Sequence, residues 1–245
     1  MMKTRCIIGI TITLLWSLLI PDGLLAQKLE VQVEERPSIR FERLTLEDGL
    51  SQGHVHDIIQ DRRGFMWFAT ESGLNRYDGH DFKVYEPKPF DSASLADGTI
   101  NDIHEAKDGA IWVATQYGGL NRLDPLTDTV SRFQHQPDVS HSLPAGPVNA
   151  VYEDHQGVLW VGMDRGISRM TPEQPGHFTH FQHVPGEAWS LSNNEVRSIK
   201  GDANGKLWVA TANGLNRMHL DAPGRFTRFL HTPTAASVED PIPES

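Results

Sequence analysis

The stretch Gly205–Arg217 reads GKLWVATANGLNR, and it is the fourth copy of one phrase in the chain. The earlier copies are GFMWFATESGLNR (Gly64–Arg76), GAIWVATQYGGLNR (Gly109–Arg122) and GVLWVGMDRGISR (Gly157–Arg169). Their tryptophans, Trp67, Trp112, Trp160 and Trp208, lie 45, 48 and 48 residues apart. Self-similarity at a period of this length marks a repeated structural unit rather than a single active-site motif. The likeness extends outward from the phrase. Upstream of each copy come a leucine, a polar turn and a short apolar segment: LSQGHVHDII from Leu50, LADGTINDIH from Leu95, LPAGPVNAVY from Leu143 and LSNNEVRSIK from Leu191. Downstream comes a short aromatic segment: FKVYE from Phe82, VSRFQH from Val130, FTHFQH from Phe178 and FTRFLH from Phe226.

Each unit therefore holds four short apolar segments, A to D in chain order. A turn of the form D-x-x-G follows A in three units, and Ala106 replaces the aspartate in the second. B contains the tryptophan within a continuous apolar run, as a strand buried on both faces does. Gly73, Gly119, Gly166 and Gly214 precede C and predict tight turns with positive φ. Asp78-Gly79 predicts a hairpin between C and D in the first unit. In A the apolar residues recur at i and i+3, as at Val148 and Val151, which is not the alternation of a simple strand. The segment is too short for a stable helix, so a strand is expected there. Four strands per unit, repeated radially, predict an all-β fold of four four-stranded antiparallel β-propeller blades. The four tryptophans are then filler between neighbouring blades.

The pattern G-x-[FIL]-W-[FV]-[AG]-[TM]-x-x-G-[LI]-[NS]-R resembles the repeat of two-component regulator propellers. The resemblance covers Phe41 to His231, residues 41–231. It implies the periplasmic sensor portion of a bacterial hybrid histidine kinase, in which larger propellers precede an immunoglobulin-like domain, a membrane helix and a kinase core. After His231 only TPTAASVEDPIPES remains, so this chain is expected to be a truncated sensor without kinase activity, residues 232–245 forming a flexible tail. The segment FERL (Phe41–Leu44) looks like an additional D strand awaiting a further blade. An open arc, or partial propeller, with apolar end faces is therefore expected.

The 245 residues carry a formal net charge of −10. That sign argues against nucleic acid and against anionic membrane surfaces. Lys3 and Arg5 followed by the apolar run Ile7–Ile20 predict a secretory signal peptide over residues 1–26, with an uncleaved anchor as the alternative. Residues 27–40 read as a linker. The only cysteine, Cys6, falls in the leader, so no disulfide is expected in the exported region. The predicted location is periplasmic or exported, with membrane attachment only through an uncleaved N-terminus.

No nucleophile motif or phosphate-binding loop occurs, and neither catalytic residues nor a cofactor are predicted. His54 with His56, and His177 with His180 and His183, are clustered in sequence. A zinc site needs three or four converging ligands, so no metal is assigned. His135, His183 and His231 recur at the end of D and read as structural. Arg76, Arg122, Arg169 and Arg217 are expected to pair with neighbouring carboxylates. The variable D-to-A connections are the better place for function, because loops on a rigid scaffold carry it. There Trp189, with Asn193 and Asn194, forms a candidate sugar-binding group. The expected function is an exported ligand-binding sensor, of glycan fragments by resemblance, with further blades or a kinase on another chain as partners. The alternatives are a propeller lyase or hydrolase, a protein-binding scaffold, or a truncated gene product.

Overall fold

The computed structural model describes residues 41–219 and 222–231. The predicted signal peptide, linker and C-terminal tail lie outside the described residues. The repeat region is four antiparallel sheets of four strands, each sheet running in chain order. Blade 1 is β1 (Val55–Gln60), β2 (Met66–Thr70), β3 (Gly73–Tyr77) and β4 (Phe82–Tyr85). Blade 2 is β5 (Ile100–Glu105), β6 (Ile111–Thr115), β7 (Leu120–Asp124) and β8 (Thr129–Phe133). Blade 3 is β9 (Val148–Glu153), β10 (Leu159–Met163), β11 (Gly166–Met170) and β12 (Phe178–Phe181). Blade 4 is β13 (Val196–Gly201), β14 (Leu207–Thr211), β15 (Gly214–Met218) and β16 (Phe226–Phe229).

The core is three separate layers, one between each pair of consecutive blades. Trp67, Ala69 and Leu74 of blade 1 meet Ile100, Ile103, Ile111 and Val113 of blade 2. Trp112, Ala114 and Leu120 of blade 2 meet Val148, Val151, Leu159 and Val161 of blade 3. Trp160 and Ile167 of blade 3 meet Val196, Ile199, Leu207 and Val209 of blade 4. Strand B is thus apolar on both faces because each face packs on a different neighbour. The inner strands touch in series, β1 with β5, β5 with β9 and β9 with β13; no comparable packing joins β13 to β1 among the described residues. The arc is open, as the sequence predicted. Its end faces show it: Trp208, Leu215 and Phe229 are only partly covered on blade 4, and Ile58 is 51% exposed on blade 1.

The irregular spacing in A has a local cause. In every blade the A–B pairing slips by one residue, between Val55 and Asp57, Ile100 and Asp102, and Val196 and Ser198, and opposite Gly162 and Met163 in blade 3. A bulge of this kind places two residues opposite one and turns the strand face over. Ile100 and Ile103 consequently point into one layer, and Val148 and Val151 into another, although three residues separate each pair. The bulged residues are His56, Asn101, Asn149 and Arg197.

Phe41–Leu44, expected as a D strand awaiting a further blade, is unpaired among the described residues and leads into a 3-10 turn at Leu46–Asp48 capped by Thr45. One expectation is corrected, that of the repeated arginines. Among the described residues only Arg122 of the four pairs with a carboxylate, that of Asp108; all four lie over the ring of their own blade's tryptophan at 5.6–5.9 Å. Strand register explains this, since each arginine sits directly opposite its tryptophan across the B–C pair. The turn aspartates have a role that the sequence left open. Asp61, Asp154 and Asp202 accept the indole N–H of Trp67, Trp160 and Trp208 at 2.9–3.0 Å. Where Ala106 replaces the aspartate, Trp112 donates instead to Glu153 of the next blade at 3.2 Å. The glycines before strand C are fixed by both conformation and space. Gly73 has φ +109°, and a Cβ there would lie 2.7 Å from the Tyr85 carbonyl oxygen.

Candidate functional site

Because the strands alternate in direction, the D–A loops and B–C turns of all four blades share one end of the blades. Backbone hydrogen bonds join them: Gly73 N–H to Gly98 O, Gln116 N–H to Thr99 O, Gly166 N–H to Asn194 O and Ala212 N–H to Glu195 O, all at 2.7–2.9 Å. The asparagine of the repeated L-N-R ties each D–A loop down from below. Asn75, Asn121 and Asn216 are fully buried and accept the backbone N–H of Ser51, Ala96 and Ser192 at 2.9–3.0 Å. Blade 3 has Ser168 at this position, which bonds to His180 instead. An arginine in strand D braces the loop of the same connection. Arg132 donates to the carbonyls of Asp91, Ser94 and Leu95, and Arg228 to those of Glu187, Ser190 and Leu191. These loops are therefore held in place by charge-assisted bonds rather than left free. The signals, N in L-N-R and R in segment D, were visible in the sequence but had no partner there.

The held loops present a few exposed groups. Tyr117 is 82% exposed and Trp189 is 45% exposed. The Trp189 indole N–H donates to Glu187 at 2.6 Å, which fixes the ring while leaving it open to solvent. Asn193 and Asn194 are in the same connection, but their side-chain oxygens accept local backbone N–H groups, of Glu195 at 2.8 Å and His183 at 2.7 Å. They shape the turn, and only their amide N–H groups are left for a ligand. His135 and His183 bond to the carbonyls of Leu143 and Leu191, as their structural reading implied. On the opposite face, a cleft of about 570 Å³ between blades 2 and 3 is lined by Trp112, Arg122, Phe133, Glu153, Met170 and Pro172 among others.

The inner strands carry a second set of polar groups. Asp57 accepts the Ile103 N–H at 3.2 Å and Asp102 the Val151 N–H at 2.7 Å, so each bridges to the next blade. Burial and the neighbouring Asp57 push the Asp102 carboxyl up to about 7, against the Val151 N–H and Lys200, which act to lower it. An acid whose folded pKa is raised is protonated in the folded state at pH values where the unfolded chain is already ionised. Its contribution to stability is complete below about pH 4, the unfolded value, and is lost as pH rises through about 7. The chemical denaturation midpoint should therefore fall across that window. Asp102→Asn should flatten the decline, and an unchanged pH slope in that variant would remove the assignment.

The four blades, with their variable loops gathered at one end, form an arc of a β-propeller. The chain belongs to the two component regulator propeller family, whose repeat profile matches residues 49–72, 94–117, 142–165 and 190–213. Each matched window runs from a D–A loop to a B–C turn and so includes the end just described. The chain is 31% identical to the extracellular domain of BT3049 from B. thetaiotaomicron, described as a hybrid two component system, with a TM-score of 0.67 over 78% of this chain and 26% of that one. It is 50% identical over 56 residues to histidine kinase P4 of Formosa agariphila, which is 23% of this chain and 4% of the kinase. The chain thus spans about a quarter of the first and a small fraction of the second. Virginiamycin B lyase of Staphylococcus aureus is 20% identical with a TM-score of 0.52 over 72% of this chain and 55% of the lyase; that likeness is one of fold. No helix among the described residues is long and apolar enough to cross a membrane.

Proposed function

We propose that this chain is an exported sensor segment that binds an extracellular ligand, a glycan fragment being the favoured class, at the end formed by its D–A loops and B–C turns. A separate domain or chain would carry phosphoryl transfer. The observation that carries the reading is the contrast within each repeat. The frame is repeated residue by residue, while the connections PKPFDSAS, QPDVSHS and VPGEAWS vary; the first and third are nonetheless held by Arg132 and Arg228. Rigid, variable loops suit selective recognition, since little ordering entropy is then lost on binding. Trp189, with its ring exposed and its N–H held, suits stacking on the apolar face of a sugar, beside the amide N–H groups of Asn193 and Asn194. A thermal-shift and calorimetry screen against neutral and acidic oligosaccharides tests this. A binding oligosaccharide should lose roughly tenfold or more in affinity in Trp189→Ala, about 1.4 kcal/mol. No binding across the panel would overturn the glycan class, and binding unaffected by Trp189→Ala would overturn the location.

A further inference from the structure

We propose that blade 1 holds a divalent metal ion of the zinc class between His54, His56 and Glu71. The other blades show what the fold itself needs at this place. In blades 2 and 3 the bulged residue of the A strand donates to the first carbonyl of the next blade's A strand. Asn101 Nδ2 donates to Val148 O at 2.9 Å and to Gln116 Oε1 at 3.1 Å. Asn149 Nδ2 donates to Val196 O at 3.0 Å and to Asp164 Oδ1 at 2.7 Å. One amide completes the bracket between blades.

Blade 1 builds the same bracket with an imidazole and adds groups that the bracket does not use. His56 Nδ1 lies 2.8 Å from Ile100 O. A carbonyl only accepts, so Nδ1 carries the proton and the Nε2 lone pair is free. That lone pair lies 3.7 Å from Glu71 Oε1. His54, whose counterparts in the other units are Thr99, Pro147 and Glu195, brings a second imidazole, with Nδ1 2.8 Å from the same oxygen. The two rings stand at 90°, 4.6 Å apart, and the three ligand atoms lie within 4.8 Å of one another. Zinc bonds of about 2.0–2.1 Å in tetrahedral geometry separate ligand atoms by about 3.4 Å, so small side-chain shifts close the site. The bond from His56 Nδ1–H to a backbone carbonyl is the orienting contact that metal-bound histidines make.

Three protein ligands leave a fourth position open, as in sites that take water or a substrate atom rather than purely structural ones. His54 and Glu71 face solvent, so the open position is reachable. It would take a water or a carboxylate oxygen. In a chain with a net charge of −10, a bound cation would also provide a local attraction for an anionic ligand.

The test uses the full chain without an affinity tag, titrated with Zn²⁺ by calorimetry and with Co²⁺ by absorption spectroscopy. The variant His54→Thr/His56→Asn/Glu71→Gln gives blade 1 the residues of blade 2 and retains the bracket. The parent should bind one equivalent of Zn²⁺ more than this variant. Its Co²⁺ complex should show a visible tetrahedral band that the variant lacks. The exposed single change His54→Thr, which touches no part of the bracket, should weaken Zn²⁺ binding roughly tenfold or more. Equal uptake by parent and variants, or no uptake by the parent, overturns the proposal.

Discussion

Replacing Trp160 by alanine is expected to destabilise the protein by about 3–5 kcal/mol, whereas the same change at Trp208 is expected to cost about 1–2 kcal/mol. The two residues occupy the same position in the repeat, with the same arginine opposite and the same aspartate bond. They differ in what lies beyond them. Trp160 is 2% exposed and packs into the layer formed with Ile199, Leu207 and Val209 of blade 4. Its removal leaves a cavity between two sheets that cannot approach each other, because both are fixed by their own ladders. It also leaves the buried Asp154 Oδ2 without the indole N–H at 3.0 Å, which adds a desolvation cost. Trp208 has no described blade beyond it, so much of its ring faces water in both folded and unfolded states and less transfer free energy is lost. Denaturant midpoints measured at low protein concentration compare the two. Equal losses would mean that the far face of blade 4 is covered, and would overturn the open arc.

The repeat, the blade and the open arc were legible because each is a matter of period and pattern. Tryptophan spacing gave the unit, the turn glycines gave the strand boundaries, and the B strand, apolar on both faces, gave packing on two sides. What stayed hidden depends on partners distant in sequence. The bulge at His56, Asn101, Asn149 and Arg197 exists only in the pairing of A with B, so the sequence showed an irregular period without its cause. Asn75, Asn121 and Asn216 looked like part of a motif, yet their bonds run to loops more than twenty residues away. The arginines of L-N-R looked in need of carboxylates because the ring faces opposite them are invisible in one dimension. At the candidate site Trp189 was weighed as a sugar platform against a cover for a blade end, and its exposure depends on packing that one dimension does not show. The use of the Asn193 and Asn194 oxygens on the backbone N–H groups of Glu195 and His183 was not foreseen, since such bonds compete with ligands for the same atoms. His54 and His56 were noticed as a pair, but Glu71, on the far side of a hairpin, was not connected to them.

The described repeat region is also expected to associate head to tail, because its two ends carry the two halves of an interface that it already makes three times. In each internal interface the tryptophan-bearing face of one blade meets the isoleucine and valine face of the next. The first half is repeated on blade 4 by Trp208, Leu215 and Phe229, the last 44% exposed. The second half is repeated on blade 1 by Val55, Ile58 and Phe68, beside a cleft of about 700 Å³ flanked by Arg43–Glu47. The polar bracket is complementary as well. Arg197 stands where His56, Asn101 and Asn149 donate to the next blade, and Val55 O stands where Ile100, Val148 and Val196 accept. Such a contact is heterologous, so it closes into a ring or continues as a chain of copies. Sedimentation velocity should show a mass that rises with concentration. Leu215→Lys should block one end and Ile58→Lys the other, each giving a folded monomer, since neither side chain is part of a described internal layer. Mixed together, the two variants retain one intact face each and should form a one-to-one dimer that grows no further. A parent that stays monomeric at all concentrations, or variants that assemble as the parent does, would show that these faces do not pair.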